Sequence, residues 1–250
     1  MADTKRVTLT CFASGDKAYF DPVAHNYEDA HGNRFLSGSV YAHKFGYEFD
    51  RDTNAERRAE INGVSKQTML DYWQSKTEIA QDFGTALHKA MEHYGKYRNL
   101  SLIDERPLGI HKTFEPIVNA FYRKRHHETA LYEAPVVDLI NLRSGLVDRV
   151  VITGEKRCII EDFKTNGDIY KNFGEGFLQP PFDFLPNTPY GEYVLQLNYY
   201  RDIVEEAGWT VEAMRIHWWT GEEWETVPIE RVELVDASDD AGTEFGVWED

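Results

Sequence analysis

The sequence predicts an α/β protein of the α+β type, in which a mixed central sheet is flanked by helices. Three observations predict it: a long helical pattern over residues 66–97, three β-branched runs between residues 130 and 165, and a helical run with two more strand patterns after residue 190. At 250 residues, 42% of them hydrophobic, the chain is long enough to bury a sizeable core. Because there is no internal repeat and no low-complexity linker, residues 1–250 are expected to form one domain.

The N-terminal part, residues 1–65, is expected to form strands and turns. Its clearest signal is "DAHGNRF" at residues 29–35, which is typical of the tight turn of a β-hairpin. The helix at 66–97 begins the core, which we place at residues 66–220. Apolar residues recur along this helix at helical spacing and predict a buried stripe. They are Ile79, Phe83, Ala86, Leu87, Ala90 and Tyr94.

The rest of the core alternates between helical and strand patterns. A loop at residues 167–190 is too rich in proline for regular structure. Residues 221–250 are expected to hold a final strand and an exposed acidic tail. The predicted elements after residue 97 are a helix at 109–128, strands at 130–138, 145–153 and 157–165, a helix over "EYVLQLNYYRDIVEEAG", and strands around "VEAMRIHWW" and "EWETVPI".

The second and third core strands can be aligned with each other from the sequence. If "GEK", residues 154–156, forms a three-residue hairpin loop, Arg149 lies opposite Glu161 as a favourable charge pair. We therefore expect Glu161 to be structural. The same register places Asp148 opposite Asp162 on the other face, with Cβ atoms roughly 5 Å apart. A loop one residue longer or shorter would separate these two carboxylates onto opposite faces.

The strand "CIIEDFKT" ends in an unusual group of charged side chains. Asp162 and Lys164 lie two residues apart, so in a strand they point to the same face. Two carboxylates as close as Asp148 and Asp162 repel each other unless a cation or a shared proton lies between them. Paired carboxylates that hold Mg²⁺, together with a lysine, are suited to hydrolysing phosphodiester bonds. The alternative is a structural ion pair at the end of a strand.

The segments "GLVDRVV" and "IIEDFKT" resemble the core of the PD-(D/E)XK nuclease superfamily, whose signature is an acid, a hairpin turn, and then acid, any residue, lysine. Asp148 matches the first acid, and Asp162 and Lys164 match the second half, although the proline before the first acid is absent. The predicted order of helix, three strands, helix and strand is also the order of that superfamily's core. The resemblance covers roughly residues 27–220.

Two further motifs resemble the RecB-like branch of this superfamily. "GTALHKAMEHY" is similar to the branch's helix with a metal-binding histidine, here His88, with Gly84 one turn before it and Glu92 one turn after it as an orienting partner. "QLNYY" is similar to the branch's motif of Gln followed four residues later by Tyr, here Gln196 and Tyr200. The alternatives are an ordinary surface histidine and an ordinary amphipathic helix.

Weaker features extend the resemblance. Glu133, in "LYEAPV", matches an acid that often precedes the GxxD strand in RecB-like nucleases. "YEDAHGNRFLSGSV" resembles the N-terminal hairpin and Ser-Val element of small phage-type exonucleases of this branch, with Tyr41 in place of the usual threonine.

The resemblance implies a metal-dependent DNA nuclease, more specifically an exonuclease of phage-type recombination, replication or repair. It implies that Mg²⁺ or Mn²⁺ is the cofactor and that Lys164 positions the attacking water. Gln196 and Tyr200 would hold Lys164 or the scissile backbone, and the aromatic residues of the 167–190 loop would either stack on unpaired bases or cover the edge of the core. The implied metal ligands are His88, Asp148, Asp162 and the backbone carbonyl of Phe163.

Composition limits the partners. The net charge of −16 argues against a broad basic surface that grips duplex DNA, and the local basic segment "FYRKRHH", residues 121–127, is either a nucleic-acid path or a solvated helix end. Cys11 and Cys158 lack CxxC spacing, so they build neither a zinc nor an iron–sulfur site, and we expect Cys158 in the core. Without a span-length apolar run or an apolar leader, a cytoplasmic protein with no membrane partner is expected.

Two other classes of function stay open on the sequence. One is a non-catalytic binding protein on the same fold that docks to a recombination or single-strand-binding protein. The net charge favours it, and the intact Asp148, Asp162 and Lys164 oppose it. The other is a nuclease that cuts RNA, since no residue in the sequence discriminates the type of sugar.

Overall fold

The computed structural model of the protein describes residues 6–24, 26–47, 49–97, 110–172 and 176–235. It has a mixed α+β fold with a six-stranded mixed sheet flanked by helices and a smaller three-stranded sheet near the N-terminus. The acidic tail from residue 236 onward, and residue 109 at the start of a predicted helix, lie outside the described residues. In the described part of the chain, no helix is long and apolar enough to cross a membrane.

The elements confirm the predicted order from residue 66 onward. They are, in chain order, β1 (Val7–Thr10), β2 (Lys17–Asp21), β3 (Asn26–Glu28), β4 (Leu36–Ser37), α1 (Gly38–His43), α2 (Arg51–Asn62), α3 (Lys66–Tyr97), α4 (Ile110–Tyr122), β5 (Ala130–Asp138), β6 (Arg143–Gly154), β7 (Arg157–Lys164), α5 (Pro189–Glu206), β8 (Thr210–Trp219) and β9 (Trp224–Ile229).

The N-terminal part contains helices that the sequence analysis did not predict, α1 and α2. Helix α2 is mostly polar, and only Ala55 and Ala59 on it are buried. The Asp50 carboxylate caps its start by accepting a hydrogen bond from the backbone N–H of Thr53, and Gly63 ends it at a φ of 65°. The predicted tight turn at residues 29–35 is present and is closed by a bridge between Glu28 and Arg34.

The predicted register between β6 and β7 is confirmed, with Arg149 opposite Glu161. The predicted loop at 154–156 is wrong, because Gly154 belongs to β6 and pairs with Arg157. A bulge between Ile152 and Gly154 absorbs the extra residue, so the strands keep the expected alignment beyond it.

One edge of β6 is shared by two strands. Strand β5 pairs along the whole of one edge, so β4 and β7 both lie on the other. Strand β4 pairs in parallel with Arg143 and Ser144, and the β7 ladder begins at Arg149. Between them, residues 145–148 have no strand partner on this edge among the described residues. This gap between β4 and β7 is where Asp148 lies.

Helices cover both faces of the large sheet. Helices α3 and α4 pack on one face around Leu87, Phe121 and Phe163, and α1 and α5 pack on the other. Of the predicted stripe on α3, Leu87 and Ala90 are fully buried, but Ile79 is 71% exposed. The prediction for Ile79 is wrong because the N-terminal half of α3 packs against α2, through the cluster of Ala55, Ala59 and Met69, instead of against the sheet.

Helix α4 is shorter than predicted. It ends at Tyr122, not at residue 128, so the basic segment at 121–127 is mainly a turn. Arg125 in this segment donates to the backbone carbonyl of Phe121 and lies 4.2 Å from the centre of its ring. This favours the structural alternative for Arg125, a cation that satisfies a helix end.

Candidate functional site

Three acids lie on one row across β5, β6 and β7. Tyr132 pairs with Arg149 and Ala134 pairs with Val147, so Glu133 lies between them, opposite Asp148. The β6–β7 ladder ends at the pair of Arg149 with Glu161, and the next residues of the two strands are Asp148 and Asp162, so Asp162 lies on the other side of Asp148. The sheet therefore brings together the acids predicted for the site.

Asp148 is held by the strand beside it and by α3. Its Oδ2 atom accepts a hydrogen bond of 2.7 Å from the backbone N–H of Phe163 and lies 3.5 Å from Nδ1 of His88. Burial raises the pKa of the Asp148 carboxyl, but the His88 imidazole and the Lys164 ammonium outweigh burial and hold that pKa below its ordinary value. Asp148 is therefore ionised at neutral pH.

Asp162 is less well satisfied. It is 3% exposed, and its Oδ2 atom lies 2.7 Å from Nζ of Lys164 but makes no hydrogen bond of acceptable geometry. Burial raises the pKa of the Asp162 carboxyl to about 6; Asp148 adds to the rise, and Lys164 only partly offsets it. Asp162 therefore takes part both in an ion pair with Lys164 and in a repelling pair of carboxylates with Asp148, so both interpretations of the sequence apply to it.

Helix α5 supplies the surroundings of Lys164. Nζ of Lys164 donates to Oε1 of Gln196 at 3.5 Å, and Nε2 of Gln196 donates to the hydroxyl of Tyr200 at 3.0 Å. The structure therefore brings Gln196 and Tyr200 to Lys164. Burial lowers the pKa of Lys164, but Asp162 outweighs burial and raises the pKa above its ordinary value, so the amine carries a proton.

Tyr200 packs against the first residue of α1 and against β6. Its ring is buried and lies so close to Gly38 and Gly145 that a Cβ atom at either position would collide with it. Glycine is needed at both positions for this reason. Tyr200, which accepts a hydrogen bond from Gln196 beside Lys164, is thus held in place by two segments of the chain that lie far apart in sequence.

His88 approaches the site from α3. Its side chain is 29% exposed, and burial lowers its pKa while the nearby Asp148 carboxylate outweighs burial and raises it. Gly84, one turn earlier, lies close to the side chain of Thr165 and lets the helix approach the end of β7. The prediction that Glu92 orients His88 is wrong. The Glu92 carboxylate pairs with two lysines of its own helix, Lys89 and Lys96, and His88 faces Asp148.

Glu133 has an unusual backbone conformation. Its φ is 48°, a region that few residues other than glycine adopt. Tyr132 before it packs in the α3–α4 cluster and Ala134 after it packs in the α1–α5 cluster, so the alternation of the strand is broken at Glu133. Burial, followed by the Asp148 charge, raises the pKa of the Glu133 carboxyl to about 7.

These donors fit a divalent cation. Two carboxylates, an imidazole and the backbone carbonyl of Phe163 belong to one part of the site, and Oδ2 of Asp162 is a buried oxygen without a hydrogen bond. Within the described residues, no three His, Cys, Asp or Glu side chains already converge as a metal-binding group. The positive charge that lies against Asp162 is the Lys164 ammonium.

Sequence reasoning missed two tyrosines near the site. The ring centre of Tyr193 lies 4.4 Å from Nζ of Lys164, and its hydroxyl donates to Oδ1 of Asn166 at 2.5 Å. Tyr193 is three residues before Gln196, so helical spacing could have found it. The second, Tyr27 of β3, lies near Glu133. Burial and the charge of Glu133 raise the pKa of Tyr27 to about 12. No sequence signal distinguishes Tyr27 as a residue of the site.

Glu161, next to Asp162, faces the other side of the sheet. It pairs with the buried Arg149 and, at 3.3 Å, with Arg215, as expected for a structural residue. His217 lies 3.2 Å away, a contact that does not have hydrogen-bond geometry. Burial raises the pKa of the Glu161 carboxyl, but these partners outweigh it and lower the pKa to about 2.

The side chains of the 167–190 loop divide into a buried and an exposed group. Leu178, Phe182 and Leu185 are buried in the core beside α1 and α5, whereas Tyr170 and Phe184 are more than half exposed. Cys158 is fully buried, as expected, and both cysteines are free thiols.

Comparison with known proteins adds no relative to this picture. No known family matches the chain, and a search of curated proteins finds no match.

Proposed function

We propose that the protein is a metal-dependent DNA nuclease of the PD-(D/E)XK type, close to the RecB-like branch, and that it acts as an exonuclease in phage-type recombination, replication or repair. One observation carries the proposal. The partly buried Asp148 and the buried Asp162 lie on neighbouring strands, and the ammonium of Lys164 contacts Asp162 on the same face. The order of α3, three antiparallel strands, α5 and a parallel strand supports it.

The proposed metal ligands are His88, Asp148, Asp162 and the carbonyl of Phe163. A bound Mg²⁺ or Mn²⁺ would polarise the phosphate and lower the pKa of water. The hydrogen bond from the Phe163 N–H holds the Asp148 carboxylate in one orientation. Glu133 lies opposite Asp148, and burial and the Asp148 charge raise the pKa of its carboxyl to about 7; we propose it as a further residue of the site and name no ligand role for it.

Lys164 is proposed to act as a hydrogen-bond donor. Because its pKa is raised, the amine stays protonated and is suited to orient a water molecule or a phosphate oxygen instead of removing a proton. Gln196 accepts from the amine and is held by Tyr200, so these two residues set the direction of the lysine side chain.

The test is cleavage of end-labelled single-stranded and double-stranded DNA in Mg²⁺ or Mn²⁺, with EDTA as the control. Lys164→Ala should abolish cleavage and leave the fold, followed by circular dichroism, intact. Lys124→Ala removes an exposed lysine after α4 and should cut like the wild type. Cleavage by the Lys164 variant at close to the wild-type rate would contradict the catalytic assignment.

A non-catalytic binding protein on the same fold is the second candidate, and the net charge of −16 favours it. It predicts that wild-type protein leaves DNA and RNA intact in both metals while still binding a recombination or single-strand-binding protein. An RNA substrate in the same assay separates a ribonuclease from a deoxyribonuclease.

A further inference from the structure

Three aromatic side chains form a platform beside Lys164. Tyr170 lies between the other two: its ring centre is 5.4 Å from that of Tyr190, at an interplanar angle of 41°, and 6.1 Å from that of Trp218, edge to face at 86°. Tyr170 is 51% exposed, and the other two are partly exposed. We call Tyr170, Tyr190 and Trp218 the aromatic platform.

The aromatic platform is held in place by buried groups. Ile169, next to Tyr170, is fully buried, and its carbonyl accepts a 2.9 Å hydrogen bond from the backbone N–H of Tyr190. The indole N–H of Trp218 donates to the carbonyl of Asn166 at 2.7 Å. An exposed tyrosine ring is thus anchored by its neighbours, so ordering it on binding costs little entropy.

The platform adjoins the proposed active site. Trp218 is the parallel-strand partner of Lys164, so both side chains point to the same face of the sheet. Tyr193 lies between the two regions, since its ring contacts Lys164 and its hydroxyl donates to Asn166. The platform therefore begins at the strand position directly beside Lys164.

The charges around the platform select what can bind there. Glu225 pairs with Trp218 across β8 and β9 and therefore lies on the same face. Its carboxylate, like the net charge of −16, disfavours a phosphate group at this place. Stacking on the face of a base needs no positive charge, and the faces of bases inside a duplex are already covered.

We propose that the aromatic platform stacks an unpaired base of single-stranded DNA, next to the phosphate held at Lys164. The proposal rests on the proposed nuclease function and gives that site a preference for single-stranded ends.

The test measures binding by fluorescence anisotropy in EDTA, with a labelled oligothymidylate of about 20 nucleotides as the probe. Tyr170→Ala should weaken binding about tenfold, as expected for the loss of one stacked base. Phe184→Ala, at an equally exposed ring of the same loop that packs on Phe182, should bind like the wild type. A base-free strand of the same length should bind wild type and the Tyr170 variant equally, and a blunt duplex should not distinguish them.

Equal binding of oligothymidylate by wild type and the Tyr170 variant would overturn the proposal, as would equal loss of duplex binding. The proposed nuclease function fails separately. A wild-type protein that binds the strand through Tyr170 but cleaves no DNA in Mn²⁺ would overturn the cleavage activity and leave the platform in place.

Discussion

Two neighbouring carboxylates on β7 have opposite environments. Glu161 and Asp162 are both almost fully buried, at 1% and 3% exposure, but they point to opposite faces of the sheet. His217 and Arg149 lower the pKa of Glu161 to about 2 against the effect of burial, whereas burial and the neighbouring Asp148 raise the pKa of Asp162 to about 6 against the effect of Lys164. Both acids are almost fully buried, so the difference comes from the side chains that face each acid.

One face of β7 therefore carries an acid that stabilises the fold, and the other face carries an acid of the proposed site. On the face of Glu161, the carboxylate pairs with Arg149 of β6 and Arg215 of β8, so these ion pairs connect β6, β7 and β8. The face of Asp162 has two carboxylates beside one lysine and keeps an oxygen without a hydrogen bond. An unbalanced negative charge in a buried place is unfavourable for the fold and favourable for a cation.

Removing the charge of Glu161 should have the largest effect. Glu161→Gln should lower the free energy of unfolding by about 3 kcal/mol at neutral pH, because it leaves the buried Arg149 with one carboxylate fewer. The folded-state pKa lies below the ordinary 4.5, so this contribution is present above pH 4.5 and is lost as pH falls toward about 2. Urea unfolding measures it, with Glu155→Gln in the exposed turn as the control. If Glu161→Gln and Glu155→Gln had equal effects, the ion pairs of Glu161 would not stabilise the fold as proposed.

Removing the charge of Asp162 should act in the opposite direction. In EDTA at pH 7.5, Asp162→Asn should raise the free energy of unfolding by about 2 kcal/mol. Because the folded-state pKa is raised from 3.8 to about 6, the gain should shrink as pH falls through about 6 and vanish below 3.8. Asp183→Asn, at an exposed loop position, should change nothing. A destabilised Asp162 variant would mean that the ion pair to Lys164 dominates.

Replacing His88 should have the smallest of the three effects. Mn²⁺ accepts an imidazole ligand more readily than Mg²⁺ does, so His88→Ala should weaken Mn²⁺ binding about tenfold and Mg²⁺ binding less. Calorimetric titration of both ions into the variant measures this, with the exposed His127→Ala as the control. Equal losses for the two ions would assign His88 a role in packing on Asp148 instead of ligation.

Much of the fold could be predicted because local signals were strong. The helical pattern of residues 66–97 predicted α3, and the assumed loop at residues 154–156 predicted the β6–β7 register, with which the charge pair of Arg149 and Glu161 agrees. The left-handed backbone at Glu133 could not be predicted, because nothing in "LYEAPV" marks a break in alternation. The bulge after Ile152 could not be predicted either. It compensates for the wrong loop length, so the strand pairs beyond it have the predicted alignment.

The candidate site was predictable in its acids and less so in its contacts. Asp148, Asp162 and Lys164 follow from strand alternation and register. The partner of His88 depends on how α3 docks on the sheet, which sequence spacing within the helix does not contain. Glu92 is one turn from His88, but its carboxylate pairs with two lysines of the same helix, whereas His88 lies against Asp148 on the sheet.

The ring of Tyr200 between Gly38 and Gly145 has a consequence for how this sequence can diverge. The space that the ring occupies is bounded by two backbones, so a side chain at either glycine and a full-sized ring at position 200 exclude each other. In relatives of this chain, the three positions should therefore change together: a smaller residue at 200 should accompany alanine or serine at 38 or 145. Such covariation would be a marker of descent that survives after the acidic signature itself has become too short to recognise.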